Sequence, residues 1–319
     1  MTNRSLAILI MSPLVLNLVP LAAQQAVTPG ATVPAVSGRK SPSAGGNSFD
    51  SPGDIKYQKT RDLLDRRIDL FMADWHESMP RYTHGSLVVR DILTRGDNFA
   101  PLQRGAILQR ANFLAYATLA AHASTTPSRL TGQQEVFYIL SGNGVVTAGG
   151  VTAEIHRDIA VFIPAELEFV MRSTSGEPVT MYIINEPTPP NFHPKDKMAV
   201  TNERERKPGS PYDSSPYTLP GAAGHWAHIT RGLFGKSDGL ATLSGVITVT
   251  LNPMTMGEPH THPPGHEEVW AAIEGTSLAF LGTELRLQRP GMAFMLRPDS
   301  NMTHSNINVG DTPVKFLWF

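Results

Sequence analysis

Apolar residues between positions 86 and 319 fall in short runs, many of which alternate with polar residues, and Gly, Pro, Ser and Asn separate the runs. Ile247, Val249 and Leu251, for example, alternate with two threonines. A period of two places every second side chain on the same face of a β-strand, whereas an α-helix repeats about every 3.6 residues. Many short strands separated by turn residues predict an all-β sandwich or barrel.

The β-rich part of the chain is divided by a polar segment. Residues 191–222 are rich in Pro, Ser and charged residues, so we expect a linker there. The sequence therefore predicts an N-terminal barrel over residues 86–190 and a C-terminal barrel over residues 223–319.

The start of the chain has the features of an export signal. Residues 1–23 contain a positive end, an apolar stretch and small residues near Ala23. An uncleaved membrane anchor is the alternative, although Pro13 and Pro20 interrupt the stretch. We expect cleavage, a periplasmic or secreted protein, and a flexible linker over the Ala-, Pro-, Gly- and Ser-rich residues 24–52.

Residues 53–80 predict an N-terminal helix. Ser51 is a suitable helix cap, and Ile68, Phe71 and Trp75 recur with helical spacing. The helix should end before the proline at position 80. Its apolar face makes a homodimer a reasonable expectation.

Composition narrows the classes of function. The chain has 319 residues, 41% hydrophobic residues and a formal net charge of −1, so it can bury a sizeable core and has no excess of positive charge for nucleic acid. It contains no cysteine, which excludes disulfides and thiolate chemistry. We expect no nucleic-acid partner and, once the signal is removed, no membrane association.

The densest group of potential metal ligands lies in the C-terminal part. His260 and His262 are two residues apart, so on a strand both imidazoles point to the same side. A Pro-Pro-Gly turn at residues 263–265 lets the chain return with the carboxylate of Glu268. His304 can supply a fourth ligand. Imidazole and carboxylate together suit a divalent transition metal such as Mn, Fe, Ni, Co or Zn.

The assignment within this group stays open. The inserted prolines could bring His266 or Glu267 to the metal in place of Glu268. Glu258 could also contribute, since it lies two residues before His260 on the same strand face. A histidine-rich turn at the surface is the alternative to a metal site.

These residues resemble the two sequence motifs of the cupin superfamily. The first motif is a Gly, a His-x-His pair, a Glu and a later Gly, and the second is a turn followed by a His and an Asn. The matching residues are Gly257, His260, His262, Glu268 and Gly275 in the first motif and Pro298, His304 and Asn308 in the second. The chain departs from the pattern by a short Gly-to-His spacing, a longer His-to-Glu spacing and Ser300 in place of a Gly.

The resemblance implies a bicupin, a chain with two double-stranded β-helix barrels of the jelly-roll type. It also implies one divalent transition metal in the C-terminal barrel, with His260, His262, Glu268 and His304 as ligands. It does not name the reaction, because cupins include dioxygenases, oxalate decarboxylases, isomerases and non-catalytic proteins.

A weak repeat of the first motif occurs in the N-terminal half. Glu135 begins a run that ends at Gly142, as Glu268 does with Gly275. The positions expected to carry histidines hold other residues, namely Ser128, Arg129, Leu130, Thr131 and Phe169. We therefore expect a degenerate, metal-free first barrel in which Arg129 is a candidate partner for Glu135. Such a barrel could be structural, bind an organic ligand or support dimerisation.

Apolar residues near the motifs predict a pocket. Trp270 shares a strand face with Glu268 and should point into the barrel beside the metal. Phe294, Met302 and Asn308 complete the predicted lining. An apolar pocket with a few polar groups suits a small organic molecule as ligand or substrate.

Two functions remain open at this point. The first is an exported metal-dependent enzyme, dioxygenase-like or decarboxylase-like, that acts on a small oxygen-rich molecule. Glu267 or Glu268, whichever does not bind the metal, would then accept a proton. The alternative is a non-catalytic periplasmic bicupin that binds a small ligand or has a structural role.

Overall fold

The protein has an all-β fold with two barrels, as the sequence predicts. The computed structural model describes three ranges of the chain, namely residues 66–209, 227–298 and 302–319. The expected signal over residues 1–23, the expected linker over residues 24–52 and residues 210–222 of the second linker lie outside the described residues. No helix in the described ranges is long and apolar enough to cross a membrane.

The first barrel is built from a large and a small sheet. The first strand of the chain, β1 Met72–Asp74, pairs with the second barrel. The strands of the first barrel are β2 Arg81–Thr83, β3 Leu87–Arg95, β4 Ala106–Leu108, β5 Phe113–Leu119, β6 Gln133–Ser141, β7 Gly144–Ala148, β8 Val151–Ile155, β9 Ile159–Ile163, β10 Phe169–Ser173, β11 Val179–Pro187 and β12 Ala199–Asn202. The large sheet has the order β12-β9-β6-β11-β5-β3-β2, with β4 beside β3, and the small sheet has the order β10-β7-β8.

The second barrel repeats this plan. Its strands are β13 His228–Gly235, β14 Gly245–Leu251, β15 Thr255–Met256, β16 Val269–Glu274, β17 Ser277–Leu281, β18 Glu284–Gln288, β19 Met292–Met295, β20 His304–Asn308 and β21 Val314–Trp318. The large sheet has the order β1-β19-β16-β21-β14-β13, and the small sheet has the order β15-β20-β17-β18. Each large sheet thus carries an extra strand at the same edge, β12 on β9 and β1 on β19.

The prediction of an α-helix over residues 53–80 is wrong for residues 66–80, the part that the structure describes. Residues Arg66–Phe71 form a short 3-10 helix, residues Met72–Asp74 form β1, and residues Trp75–Glu77 form a second 3-10 helix. Two further 3-10 helices, Glu203–Glu205 and Lys236–Asp238, lie in connections.

Competition between two cores explains this difference. Met72 packs inside the second barrel, whereas Phe71 and Ala73 pack between the barrels. Pairing with β19 therefore outweighs the local helical period. These apolar side chains are buried within the chain, so they do not form the exposed face from which we expected a homodimer.

The central strands are buried on both faces, which explains their continuous apolar runs. On β16, Trp270 and Ala272 point into the second barrel, whereas Val269 and Ala271 point to the seam between the barrels. Strand β6 divides its apolar side chains in the same way between the interior of the first barrel and the seam. The two large sheets therefore share one core between them.

Two glycines mark the internal repeat. Gly142 follows β6 and Gly275 follows β16, with φ angles of 82° and 73°. A Cβ at Gly142 would lie 2.3 Å from the carbonyl oxygen of Pro178, and a Cβ at Gly275 would lie 2.7 Å from the side chain of Val314. Both positions therefore require glycine.

A buried ion cluster joins three segments at the seam. Lys315 on β21 lies 2.8 Å from Asp158 and 2.7 Å from Glu203. The hydroxyl of Tyr138 lies 3.0 Å and 2.5 Å from the same two carboxylates. Burial alone would raise the pKa of Asp158, but the contacts with Lys315 and Arg204 lower it to about 2.

Lys315→Met should lower the free energy of unfolding by about 3 kcal/mol at neutral pH, because it leaves two buried carboxylates without the lysine they share. Since the folded pKa of Asp158 is about 2, its stabilisation is present above the ordinary Asp pKa of about 4 and is lost as the pH falls toward 2. Urea unfolding should therefore show a difference between wild type and variant that shrinks below about pH 4.

Arg157→Met is the matched control for this variant. Arg157 pairs with Glu274 across a substantially exposed contact, so its loss should change stability by less than about 1 kcal/mol. Equal losses in the two variants, or a Lys315 effect that is independent of pH, would contradict the assigned role of the cluster.

Candidate metal centre

Backbone pairing brings two histidines from separate segments face to face. His260 and His304 form an isolated antiparallel bridge, in which each backbone N–H donates to the other residue's carbonyl at 3.1 Å and 2.9 Å. Directly paired residues of antiparallel strands project their side chains to the same side. The two imidazole centroids consequently lie 4.2 Å apart.

A tight turn brings His262 and Glu268 to the same place. A hydrogen bond of 3.2 Å from His266 N to Pro263 O closes the expected Pro-Pro-Gly turn, after which the chain enters β16. Glu268 Oε2 then lies 2.8 Å from His262 Nε2, and Glu268 Oε1 lies 3.1 Å from His304 Nε2.

These four side chains form a compact donor set. One nitrogen each of His260, His262 and His304 lies within 4.8 Å of the others. The side chains of Glu268 and His304 are only 1% exposed. Three imidazoles and a carboxylate in a barrel interior suit a divalent transition metal. The residues therefore fit the metal that the motifs imply.

Burial and neighbouring side chains determine the protonation states of His260 and Glu268. Burial and the neighbouring His304 lower the pKa of His260 to about 4. Burial alone would raise the pKa of Glu268, but its contacts with His262 and His304 hold that pKa well below its ordinary value. Neutral imidazole and ionised carboxylate are the forms that bind metals.

Neighbouring groups orient two of the candidate ligands. His260 Nδ1 lies 2.8 Å from the carbonyl oxygen of Glu258. Because a carbonyl only accepts, Nδ1 carries the hydrogen and Nε2 carries the lone pair that can bind a metal. The indole N–H of Trp270 donates to Glu268 Oε1 at 2.5 Å. Such outer hydrogen bonds fix ligand orientation and increase metal affinity.

Three of the four residues predicted to line a pocket lie in the apolar core of the second barrel. Trp270, Phe294 and Met302 are buried there, beside the candidate ligands. Trp270 packs edge-on against Phe316, with ring centroids 5.5 Å apart. A pocket lined by these side chains remains a prediction.

Asn308 has a different role from the one predicted. Its side-chain nitrogen donates to the backbone oxygens of Leu251, Asn252 and Thr312 at 3.1, 3.0 and 2.9 Å. The structure therefore places Asn308 at the end of β20, where its side chain binds the backbone of neighbouring segments, and not in the pocket lining.

Glu267 is directed away from the candidate ligands. Its Oε1 accepts a hydrogen bond from the side chain of Asn98 at 2.8 Å, and its Oε2 accepts from the backbone N–H groups of Gln109 and Arg110 at 3.2 and 2.9 Å. These partners belong to the first barrel. The predicted roles of Glu267 as metal ligand or proton acceptor do not fit this position.

His266 lies in the turn beside the donor set and is exposed. Its ring stacks on that of His262, with centroids 4.6 Å apart. His262, His266 and Glu268 form a second group of potential ligands within 4.8 Å. Because this group shares His262 and Glu268 with the four-residue donor set, both belong to one centre.

A family model described as a cupin domain matches residues 115–185, which extend from β5 to β11 of the first barrel. This part of the chain is therefore a cupin domain. No curated protein sequence matches the chain.

Several solved structures have a similar fold over most of the chain. A variant of oxalate decarboxylase from Bacillus subtilis matches with a TM-score of 0.56 and 13% identity over 78% of this chain and 76% of that chain. A putative glyoxylate-induced protein from Pseudomonas aeruginosa matches at 0.55 and 16%, over 76% and 91%. A formate complex of oxalate decarboxylase from Lactobacillus farciminis matches at 0.55 and 13%, over 78% and 85%. At these identities the likeness establishes the fold alone.

The first barrel has other residues at the positions equivalent to His260 and His304. Ser128 and Phe169 form the same kind of isolated bridge as His260 and His304 in the second barrel. This pairing agrees with the expectation that Ser128 and Phe169 replace histidines. The absence of a metal from this barrel remains a prediction.

His84 fills the space beside Glu135 in the first barrel. Its Nε2 lies 3.0 Å from Glu135 Oε2, and Asn185 donates to Glu135 Oε1 at 2.9 Å. The ring of His84 also packs against Phe169, with centroids 5.0 Å apart. His84, and not Arg129, is therefore the partner of Glu135.

Trp270→Phe should weaken metal binding about 10- to 100-fold, because it removes the hydrogen bond to Glu268 and keeps most of the ring packing. Competition with a chelator of known affinity measures the change. Trp318→Phe is the control, since the buried indole nitrogen of Trp318 has no hydrogen-bond partner within the described ranges, and it should leave the affinity unchanged. Equal losses in both variants would contradict the orienting role of Trp270.

Proposed function

We propose that this chain is a metal-dependent cupin enzyme that acts on a small, oxygen-rich organic molecule. The observation that carries the proposal is the convergence of His260, His262, Glu268 and His304 inside the second barrel. Burying a carboxylate is unfavourable unless it is paired or binds a cation. A bound metal ion accounts for a buried carboxylate and three imidazoles at one point.

The proposed cofactor is one divalent ion of Mn, Fe, Ni or Zn, and the donor set is compatible with each of them. When bound, such an ion supplies Lewis-acid polarisation of a substrate oxygen. His260, His262, Glu268 and His304 would hold the ion beside the apolar core of the second barrel.

The chain's own residues prepare the site in three ways. Trp270 holds the carboxylate of Glu268 in a fixed orientation. Phe294 and Met302 exclude water, which strengthens electrostatic interactions within the site. His266 is exposed and contacts His262, so it takes the proton-exchange role that Glu267 cannot fill.

The names of the structural neighbours support a small acid as substrate. Two are oxalate decarboxylases, one of them in complex with formate, and the third is a putative glyoxylate-induced protein. Oxalate, formate and glyoxylate are acids of one or two carbons. The proposed reaction is accordingly decarboxylase-like or dioxygenase-like. Export, expected from residues 1–23, is a separate proposal that cell fractionation tests.

A non-catalytic cupin that binds a small ligand is the second candidate. The first barrel favours it, because His84 and Asn185 satisfy Glu135 in place of a histidine triad. A chain that retains such a barrel can use both halves for binding or assembly.

The metal-loaded protein should convert at least one small organic acid. Samples reconstituted separately with Mn, Fe, Ni and Zn are incubated with oxalate, glyoxylate and glycolate, with and without O2. The measurements are the loss of acid, the release of CO2 and the uptake of O2.

His304→Ala is the control for turnover. Activity should fall at least about 100-fold together with the bound metal, because the variant removes a buried ligand. If the wild type holds metal and binds one of these acids but converts none of them, the enzyme proposal fails and the binding candidate is favoured.

A further inference from the structure

The side chain of Asn306 on β20 is buried without hydrogen bonds. It is 0% exposed, and neither its Oδ1 nor its Nδ2 has a hydrogen-bond partner among the residues that the structure describes. A buried amide normally pairs both its acceptor and its donor, because losing their hydration is costly. An amide that lacks both partners is therefore a candidate ligand-binding group.

Strand pairing determines where this amide lies. Asn306 is directly opposite Ala279 on β17, and His304 is directly opposite Leu281. Opposite residues of an antiparallel pair project to the same side. Ala279 and Leu281 belong to the core of the second barrel, so Asn306 faces the same interior as His304.

The neighbours of Asn306 are small residues and a histidine ring. Ala279 is its partner on one side, and Gly257 on the other side donates a backbone hydrogen bond of 3.0 Å to Asn306 O. The ring of His228 lies over Gly257, because a Cβ there would be 2.8 Å from that ring. His228 in turn packs on Trp270, with centroids 5.1 Å apart. The layer next to the metal ligands therefore combines small residues with polar groups.

Asn308 provides a comparison on the same strand. It is two residues from Asn306, so it projects to the same face, and it is also buried. Its side-chain nitrogen makes three hydrogen bonds to backbone oxygens. Both amides are buried, but only that of Asn308 has hydrogen-bond partners within the described residues. Asn308 therefore has a structural role, whereas Asn306 is available to bind a ligand.

We propose that Asn306 binds the substrate through both atoms of its amide and selects small acids that present a hydrogen-bond donor beside an acceptor, such as an α-hydroxy acid or the amide of a dicarboxylic acid. This inference rests on the proposed function of the second barrel. Asn306 is two residues from His304, a rise of about 6.6 Å along the strand. That rise suits an acid of two or three carbons that extends from the ligand layer to the amide. Oxalate at neutral pH offers acceptors only, so it would leave Asn306 Oδ1 unpaired.

The first test compares two truncations in the metal-free protein. Asn306→Ala and Asn308→Ala remove the same atoms from the same face of β20, and thermal unfolding is measured for both. Asn308→Ala should lower Tm by several degrees more than Asn306→Ala, because only Asn308 loses hydrogen bonds. An equal or larger fall for Asn306→Ala would overturn the proposal, since it would show a structural role. This comparison does not depend on bound metal or on turnover.

The second test measures ligand selection in the metal-loaded protein by calorimetric titration with oxalate and oxamate. Oxamate replaces one carboxylate of oxalate with a carboxamide, which offers a donor and an acceptor side by side. In Asn306→Leu the ratio of oxamate affinity to oxalate affinity should fall at least about tenfold relative to the wild type. Its metal content should be unchanged. An unchanged ratio, with metal still bound, would overturn the proposal even if the wild type converts an acid.

Discussion

The buried carboxylate of Glu268 is the interaction on which the second barrel depends. An ionised carboxylate in a barrel interior requires cations or hydrogen bonds around it. His262 and His304 lie within 3.1 Å of its oxygens, and Trp270 donates a hydrogen bond to it. The bridge that places His260 opposite His304 brings a further imidazole to the same point. The strand pairing, the turn before β16 and the indole of Trp270 thus all place polar groups around the carboxylate of Glu268.

Carboxylates also determine how the two barrels fit together. Glu267 accepts backbone N–H groups from residues 109 and 110 of the first barrel, and Glu186 of the first barrel accepts the backbone N–H of Thr242 at 2.8 Å. Glu267 and Glu268 are adjacent, yet one faces the seam and the other the barrel interior. Successive residues entering a strand project to opposite faces, which separates the structural carboxylate from the candidate ligand.

The sequence predicts the two-barrel fold because period-two apolar runs and turn glycines are local signals. It does not predict the structure of residues 66–80, since their apolar side chains are divided between two cores and pair with a distant strand. The contact of His84 with Glu135 joins residues far apart in the chain, so no spacing indicates it. The missing hydrogen bonds of Asn306 are likewise visible only in the folded chain.

Elemental analysis of the purified protein shows whether the second barrel binds a metal ion. The wild type should contain about one equivalent of Mn, Fe, Ni or Zn, whereas His262→Ala and His304→Ala should contain almost none. His266→Ala and Glu267→Gln should retain the metal, because neither residue is one of the four proposed ligands. A wild type that takes up no metal on reconstitution, or metal that is lost in His266→Ala and kept in His304→Ala, would contradict the account.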